Sequence, residues 1–287
     1  MARGHVYIAI FLVSMSSLAF EVLLTRVFSI SQWNHLSFMV ISIALFGFGA
    51  SGAFLSILDG KKKGWEKAFS GKRPMAVALV LYSISALAAY LVLNSIPLDY
   101  FRLPVDPVQS LYLLWAYLAL SLPFFLTGLV VSAGFAALPS SSGIVYFSTM
   151  CGSALGAILP YFFLLFLEEG RLAVMFAAVP LLFLFMPMHH GAGRAEKTEF
   201  LLRGIGLVTA GLALFLIIAD HGSAVTVKPS PYKALSQTLK YPDTEIVESF
   251  SGIRGKLDLV RSPYIRFAPG LSLQFTGSLP KQSALFR

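Results

Sequence analysis

The sequence predicts an all-α polytopic membrane bundle of about seven transmembrane helices, with a small C-terminal β-rich segment. Three observations lead there. Hydrophobic residues make up 56% of the 287 residues and charged residues only 13%, against roughly 25% charged in an ordinary soluble domain. The apolar residues are gathered into runs long enough to cross a bilayer. Past residue 220 the pattern changes, and charges are spread throughout. The chain therefore divides into a transmembrane domain over 1–220 and a β-rich segment over 221–287.

The candidate spans fall at 6–25, 36–58, 75–96, 108–138, 143–167, 171–188 and 200–219. The first resembles a signal peptide briefly, but no small-residue cleavage site closes it and Glu21 interrupts it, so it reads as an uncleaved span. The fourth is too short for two crossings and carries Pro123 near its middle. It reads as one long kinked helix, with a re-entrant turn as the alternative. After Asp220, Ser230-Pro231 opens a short helix over Tyr232–Leu239. Thr244–Ser249, Lys256–Leu259 and Leu271–Phe275 then read as short strands of an antiparallel meander, punctuated by Gly and Pro. A few strands in so short a segment rarely hold a core alone. The segment is therefore expected to be the truncated start of a larger unit, or to pack on something else.

Loop charge sets orientation. Asp59–Arg73 holds six basic residues against Asp59 and Glu66, which places that loop and the N-terminus in the cytoplasm of an inner or plasma membrane. The net charge of +8 belongs to such loops, and the expected partner is the lipid bilayer, with no nucleic acid. The lone Cys151 and the scattered histidines supply no metal set. Seven crossings put residues after Asp220 outside the cytoplasm.

Gly47-Phe48-Gly49-Ala50-Ser51-Gly52 is a literal GxGxxG. It lies mid-span, where the backbone N–H groups that would meet a pyrophosphate are already bonded. Its reading is close helix packing, with Gly49 and Ala53 on one face and Gly47 and Ser51 on another. Ser148, Gly152 and Gly156 recur every four residues and read as a second helix seam. Glu21 and Arg26 are the intramembrane polar candidates. Five residues apart, they do not stack on one helix face. They serve a function within the membrane or sit in the headgroup zone.

Several stretches together resemble the membrane-bound relatives of spermidine synthase. These are Glu21 to Ser29, Pro123 to Gly128, Val145-Tyr146-Phe147 through Gly156, and Ser230-Pro231-Tyr232-Lys233-Ala234-Leu235-Ser236. The last continues in Gly255 to Val260 and Ala268 to Leu273. The resemblance implies a multi-span domain fused to a polyamine-aminopropyltransferase-like unit, with residues 221–287 as the start of the latter. Decarboxylated S-adenosylmethionine would then bind only in a further C-terminal domain carrying the glycine-rich loop and catalytic acids. No catalytic or cofactor residue carries over to this chain, and these 287 residues are expected to be inactive as an enzyme. Family members tend to carry an aspartate before the Gly-rich stretch, where this chain has Ser148-Thr149-Met150-Cys151. Such a cofactor is cytosolic, whereas seven spans place the tail outside. A C-terminal catalytic domain and a homo-oligomer are the protein partners this reading allows. Two other classes stay open. One is a small-solute, polyamine-type transporter subunit using Glu21, Arg26, Gln32, Asn94 and the hydroxyls of spans two to five. The other is a membrane scaffold holding a partner at the strand edges.

Overall fold

The computed structural model describes residues 4–32, 34–61, 71–186, 194–218, 224–252, 255–265, 272, 274–277 and 282–286. Helices α1 (Gly4–Ser31), α2 (Phe38–Lys61), α3 (Lys72–Ser95), α4 (Pro107–Ala137), α5 (Ser142–Phe163), α6 (Glu169–Ala178) and α7 (Arg194–Ile218) form the bundle. A five-residue helix α8 (Ala234–Thr238) and strands β1 (Glu245–Gly252), β2 (Gly255–Ser262) and β3 (Gln282–Phe286) form the tail.

Six α-helices among the described residues are long and apolar enough to cross a membrane, not seven: α1 to α5 and α7. The stretch expected as a span at 171–188 is split instead. Its α-helix ends at Ala178 and a 3-10 segment follows over Val179–Phe185. Pro180 lies at the change: a proline has no N–H for the carbonyl four residues back, here Phe176, so one rung of the α-ladder is missing there. The Phe176 carbonyl is not left bare. Ser16 Oγ of α1 donates to it at 2.5 Å, and the Val179 N–H caps it. By contrast α4 runs unbroken through Pro123 for 31 residues, so the expectation of one long helix describes it and the re-entrant turn does not.

α1 is the central post. Its Ile10, Phe20, Leu23 and Leu24 are fully buried, and it packs on α5, α6, α4 and α3. α5 and α7 leave most of their surface open. Large apolar side chains on the outside, among them Phe185 at 77% and Phe200 at 81% exposure, are tolerable where the solvent is hydrocarbon. Such a bundle is compatible with an integral membrane protein.

The seams rest on small residues. A Cβ on Gly152 would meet the Phe11 carbonyl of α1, and one on Gly156 the Met15 carbonyl. Ser148 is buried on the same face and donates to the Ile144 carbonyl at 2.9 Å. The α2–α4 seam runs through Gly47, where a Cβ would lie 2.6 Å from the Ser121 carbonyl oxygen, and through Ser51 beside Gly128. The expected packing face through Gly49 and Ala53 is corrected here. Both are exposed on α2, and a Cβ on Gly49 would meet nothing within 4 Å. The two faces of the GxGxxG stretch point in different directions, and the one through Gly47 meets α4.

In the tail, β1, β2 and β3 form an antiparallel sheet in that order. The third strand is Gln282–Phe286, not Leu271–Phe275. Ser272, Gln274 and Phe275 are not extended strand, and Leu271 and Leu273 lie outside the described residues. Ala284 and Leu285 pair with Val260 and Leu259 instead. β2 is the protected strand, with Val260 fully buried and Asp258 held by Ser249 Oγ at 2.5 Å.

Candidate functional site

The tail is seated on the bundle by polar contacts at one end. α1, α3 and α6 contribute the bundle side. Arg26, near the end of α1, reaches across to Glu169, the first residue of α6, at 2.9 Å. The same guanidinium nitrogen donates to the Gly252 carbonyl of β1 at 2.8 Å. The Arg26 and Glu169 side chains are 12% and 3% exposed, so both ions are withdrawn from water. Glu169 also stands at a helix N-terminus, where the backbone dipoles favour an anion.

Further anchors surround this pair. Lys233 Nζ donates to the Ser29 and Ile30 carbonyls at 2.7 and 2.8 Å, closing the last turn of α1. Burial draws the Lys233 amine below the usual lysine value. Asn94, at the end of α3, donates to the Ala224 and Thr226 carbonyls, and Tyr90 Oη donates to the Val225 carbonyl at 2.7 Å. Gly170 is required there, because a Cβ would run into the Val225 carbonyl. Tyr232 Oη donates to Asp99 at 2.9 Å, and its ring packs 4.6 Å from that of Phe101. A cleft of about 830 Å³ lies between the sheet and the end of α1, edged by Lys228, Lys233, Lys256 and Asp258.

The structure does not bring Glu21 and Arg26 together. Glu21 turns away into a second cavity, of about 300 Å³, inside the bundle. α1 packs chiefly on α5 and α2 chiefly on α4, and the cavity lies between the two pairs. Seven of its twelve lining residues carry hydroxyls, and Glu21 is the one ionisable group among them. Ser148, Gly152 and Gly156 hold the wall that α5 supplies but do not line the space. Gly49 and Ala53 take no part in either site.

Arg26 and Glu21 were visible as charges in an apolar run. Glu169 was not singled out, because Glu168-Glu169 reads in sequence as an ordinary acidic loop. The hydroxyl wall was visible only as scattered Ser and Thr in several spans. Among the described residues no group of three or more His, Cys, Asp or Glu could hold a metal ion. Comparison of the chain with family models, with curated proteins and with solved structures finds no match.

Proposed function

We propose that the chain is a membrane-embedded, spermidine-synthase-like protein in which the bundle is a platform holding the β-rich tail at one membrane face. Over these 287 residues it is a membrane domain with a docked β segment, not a working aminopropyltransferase. The observation that carries this reading is the buried Arg26–Glu169 pair and its bond to the Gly252 carbonyl. A buried charge is kept only where it is paired and hydrogen-bonded, and this one is spent on fastening β1 to α1 and α6. Hydrogen exchange tests it. β2 amides should exchange slowly in the wild-type protein and much faster in Arg26→Gln, while the α3 amides stay unchanged. Equal β2 exchange in both proteins overturns the platform. Mixed with putrescine and decarboxylated S-adenosylmethionine, the purified chain is expected to form no spermidine, and turnover would refute that half of the proposal.

The same contacts bear on orientation. Arg73 near the start of α3 pairs with Glu199 in the N-terminal part of α7 at 3.1 Å, so those two ends share a face. The tail meets the opposite ends of α1 and α3. On one common axis the 10-residue α6 and the 7-residue 3-10 segment would rise about 29 Å, close to the ~30 Å of a hydrocarbon core. This supports seven crossings, with the basic loop in the cytoplasm and the tail across the membrane from it. In a Cys151→Ser background, Asp59→Cys and Tyr241→Cys should label with an impermeant maleimide from opposite sides of the membrane. Labelling from one side would place the tail in the cytoplasm and restore access to a cytosolic donor.

A second reading, a small-solute transporter subunit of polyamine type, is favoured by the cavity beside Glu21. Uptake of labelled polyamine into proteoliposomes above empty vesicles is its test.

A further inference from the structure

We infer that the intramembrane cavity between α1, α2, α4 and α5 is a binding site for a small organic ammonium ion, held by Glu21 and an arc of hydroxyl oxygens. The site stands apart from the tail junction and needs neither the platform nor the transporter reading.

Glu21 makes no ion pair or hydrogen bond among the described residues, and no basic side chain lines the cavity. An uncompensated carboxylate within the bilayer is costly and asks for a cation or a strong donor. Arg26 is the nearest cation along α1, and it is committed to Glu169 and Gly252.

The hydroxyls answer in the same sense. Ser51 donates to the Phe48 carbonyl at 2.7 Å, Thr127 to Pro123 at 3.0 Å and Thr149 to Val145 at 3.0 Å. Each hydroxyl has one hydrogen and two lone pairs. With the hydrogens spent on their own helices, the three oxygens have only acceptor capacity left for the cavity. Ser14 is an independent sign of an unmet polar requirement in the cavity. It is 4% exposed, it lines the cavity, and its Oγ has no partner among the described residues. A buried hydroxyl without a partner is rare.

Together these groups form an acceptor-rich lining with one negative charge. That pattern selects a cation with N–H donors and rejects anions. Phe48 lines the same wall, and an aromatic ring face attracts such a cation. The volume, about 300 Å³, is far above the roughly 10–15 Å³ that accommodates one water. The apolar part of the lining, Leu18, Val131 and Phe48, suits the carbon skeleton of an alkylamine better than a bare metal ion.

The test uses the purified full chain in detergent. Alkylammonium chlorides from ethyl to hexyl and the matching neutral alkanols are titrated by calorimetry. One saturable site for at least one ammonium ion is expected, with no saturable alkanol binding. Glu21→Gln should weaken that ammonium at least tenfold, and Ser14→Ala several-fold. Thr149→Val removes an acceptor at nearly constant volume and should weaken it too, which keeps the test open if Glu21→Gln fails to fold. Unchanged affinity in the folded variants, alkanols binding as well as ammonium ions, or no saturable ligand in the series overturns the proposal. Sodium chloride reproducing the ammonium signal would assign the site to an inorganic cation and overturn the amine class.

Discussion

Glu169→Ala is expected to lower the stability of the purified protein by about 3–5 kcal/mol, the cost of leaving one member of a buried ion pair without its partner. The Arg26 side chain is 12% exposed, and its bond to Gly252 goes to a neutral carbonyl, which cannot replace the lost negative charge. Arg26→Met alone should cost a similar amount, since it strands Glu169 at 3% exposure. The double variant Arg26→Met, Glu169→Met should recover most of that loss, because desolvating two charges consumes much of what their attraction returns. Thermal unfolding in detergent measures all three, and the cycle isolates the coupling. If the single variants melt like the wild type, the pair is not withdrawn from water in solution. If the double variant is as damaged as the singles, the Gly252 bond matters more than the pair.

The second large effect belongs to the α1–α5 seam. Gly156→Val should destabilise the bundle by about 3 kcal/mol or more, at the upper end of overpacking costs. The added carbons would be driven into the Met15 carbonyl of α1. Backbone on both sides cannot rotate away as a side chain would. Gly152→Val meets the Phe11 carbonyl and should behave alike. The contrast is Gly49→Ala on α2, where a Cβ meets nothing. It should be neutral, or stabilising by up to ~1 kcal/mol from helix propensity. Detergent melting curves for these variants decide the matter. Equal melting of the Gly156 and Gly49 variants would mean that α1 and α5 stand further apart than described.

The bundle was legible in sequence because hydrocarbon imposes a single demand, some 20 apolar residues per crossing, and composition reports it directly. Long runs such as 36–58 and 75–96 left little choice. The sixth run was misread as one continuous helix because hydropathy does not register hydrogen bonding. Leu181 to Phe185 are as apolar as any span, and the change of helix type beside Pro180 cannot be read from hydropathy, nor from the proline alone, since α4 continues through Pro123. The tail was half legible. Gly and Pro located β1 and β2, but Leu271–Phe275 alternates while Gln282–Phe286 does not, and pairing with β2 rather than periodicity chose the second. At the candidate sites, sequence could pick out Arg26 and Glu21 because charge is conspicuous among apolar neighbours. It could not pair Arg26 with a residue 143 positions away. Nor could it show that Ser14, Ser51, Thr127 and Thr149, on four helices, turn toward one space. Likewise nothing in the spacing of Gly49 and Ala53 distinguishes an outward face from the Gly47 face that meets α4.

α1 carries Ser14, Ser17 and Glu21 on one wall of the cavity and, a turn or two further on, the Arg26, Ser29 and Ile30 groups that grip the tail. One rigid rod thus belongs to two binding equilibria. Thermodynamic reciprocity then applies. Whatever factor an occupant of the cavity adds to the tail's grip, the gripped tail must return to the occupant. Releasing the tail with Arg26→Gln is therefore also a way to ask, from the far end of a helix, whether the cavity and the membrane face exchange information at all.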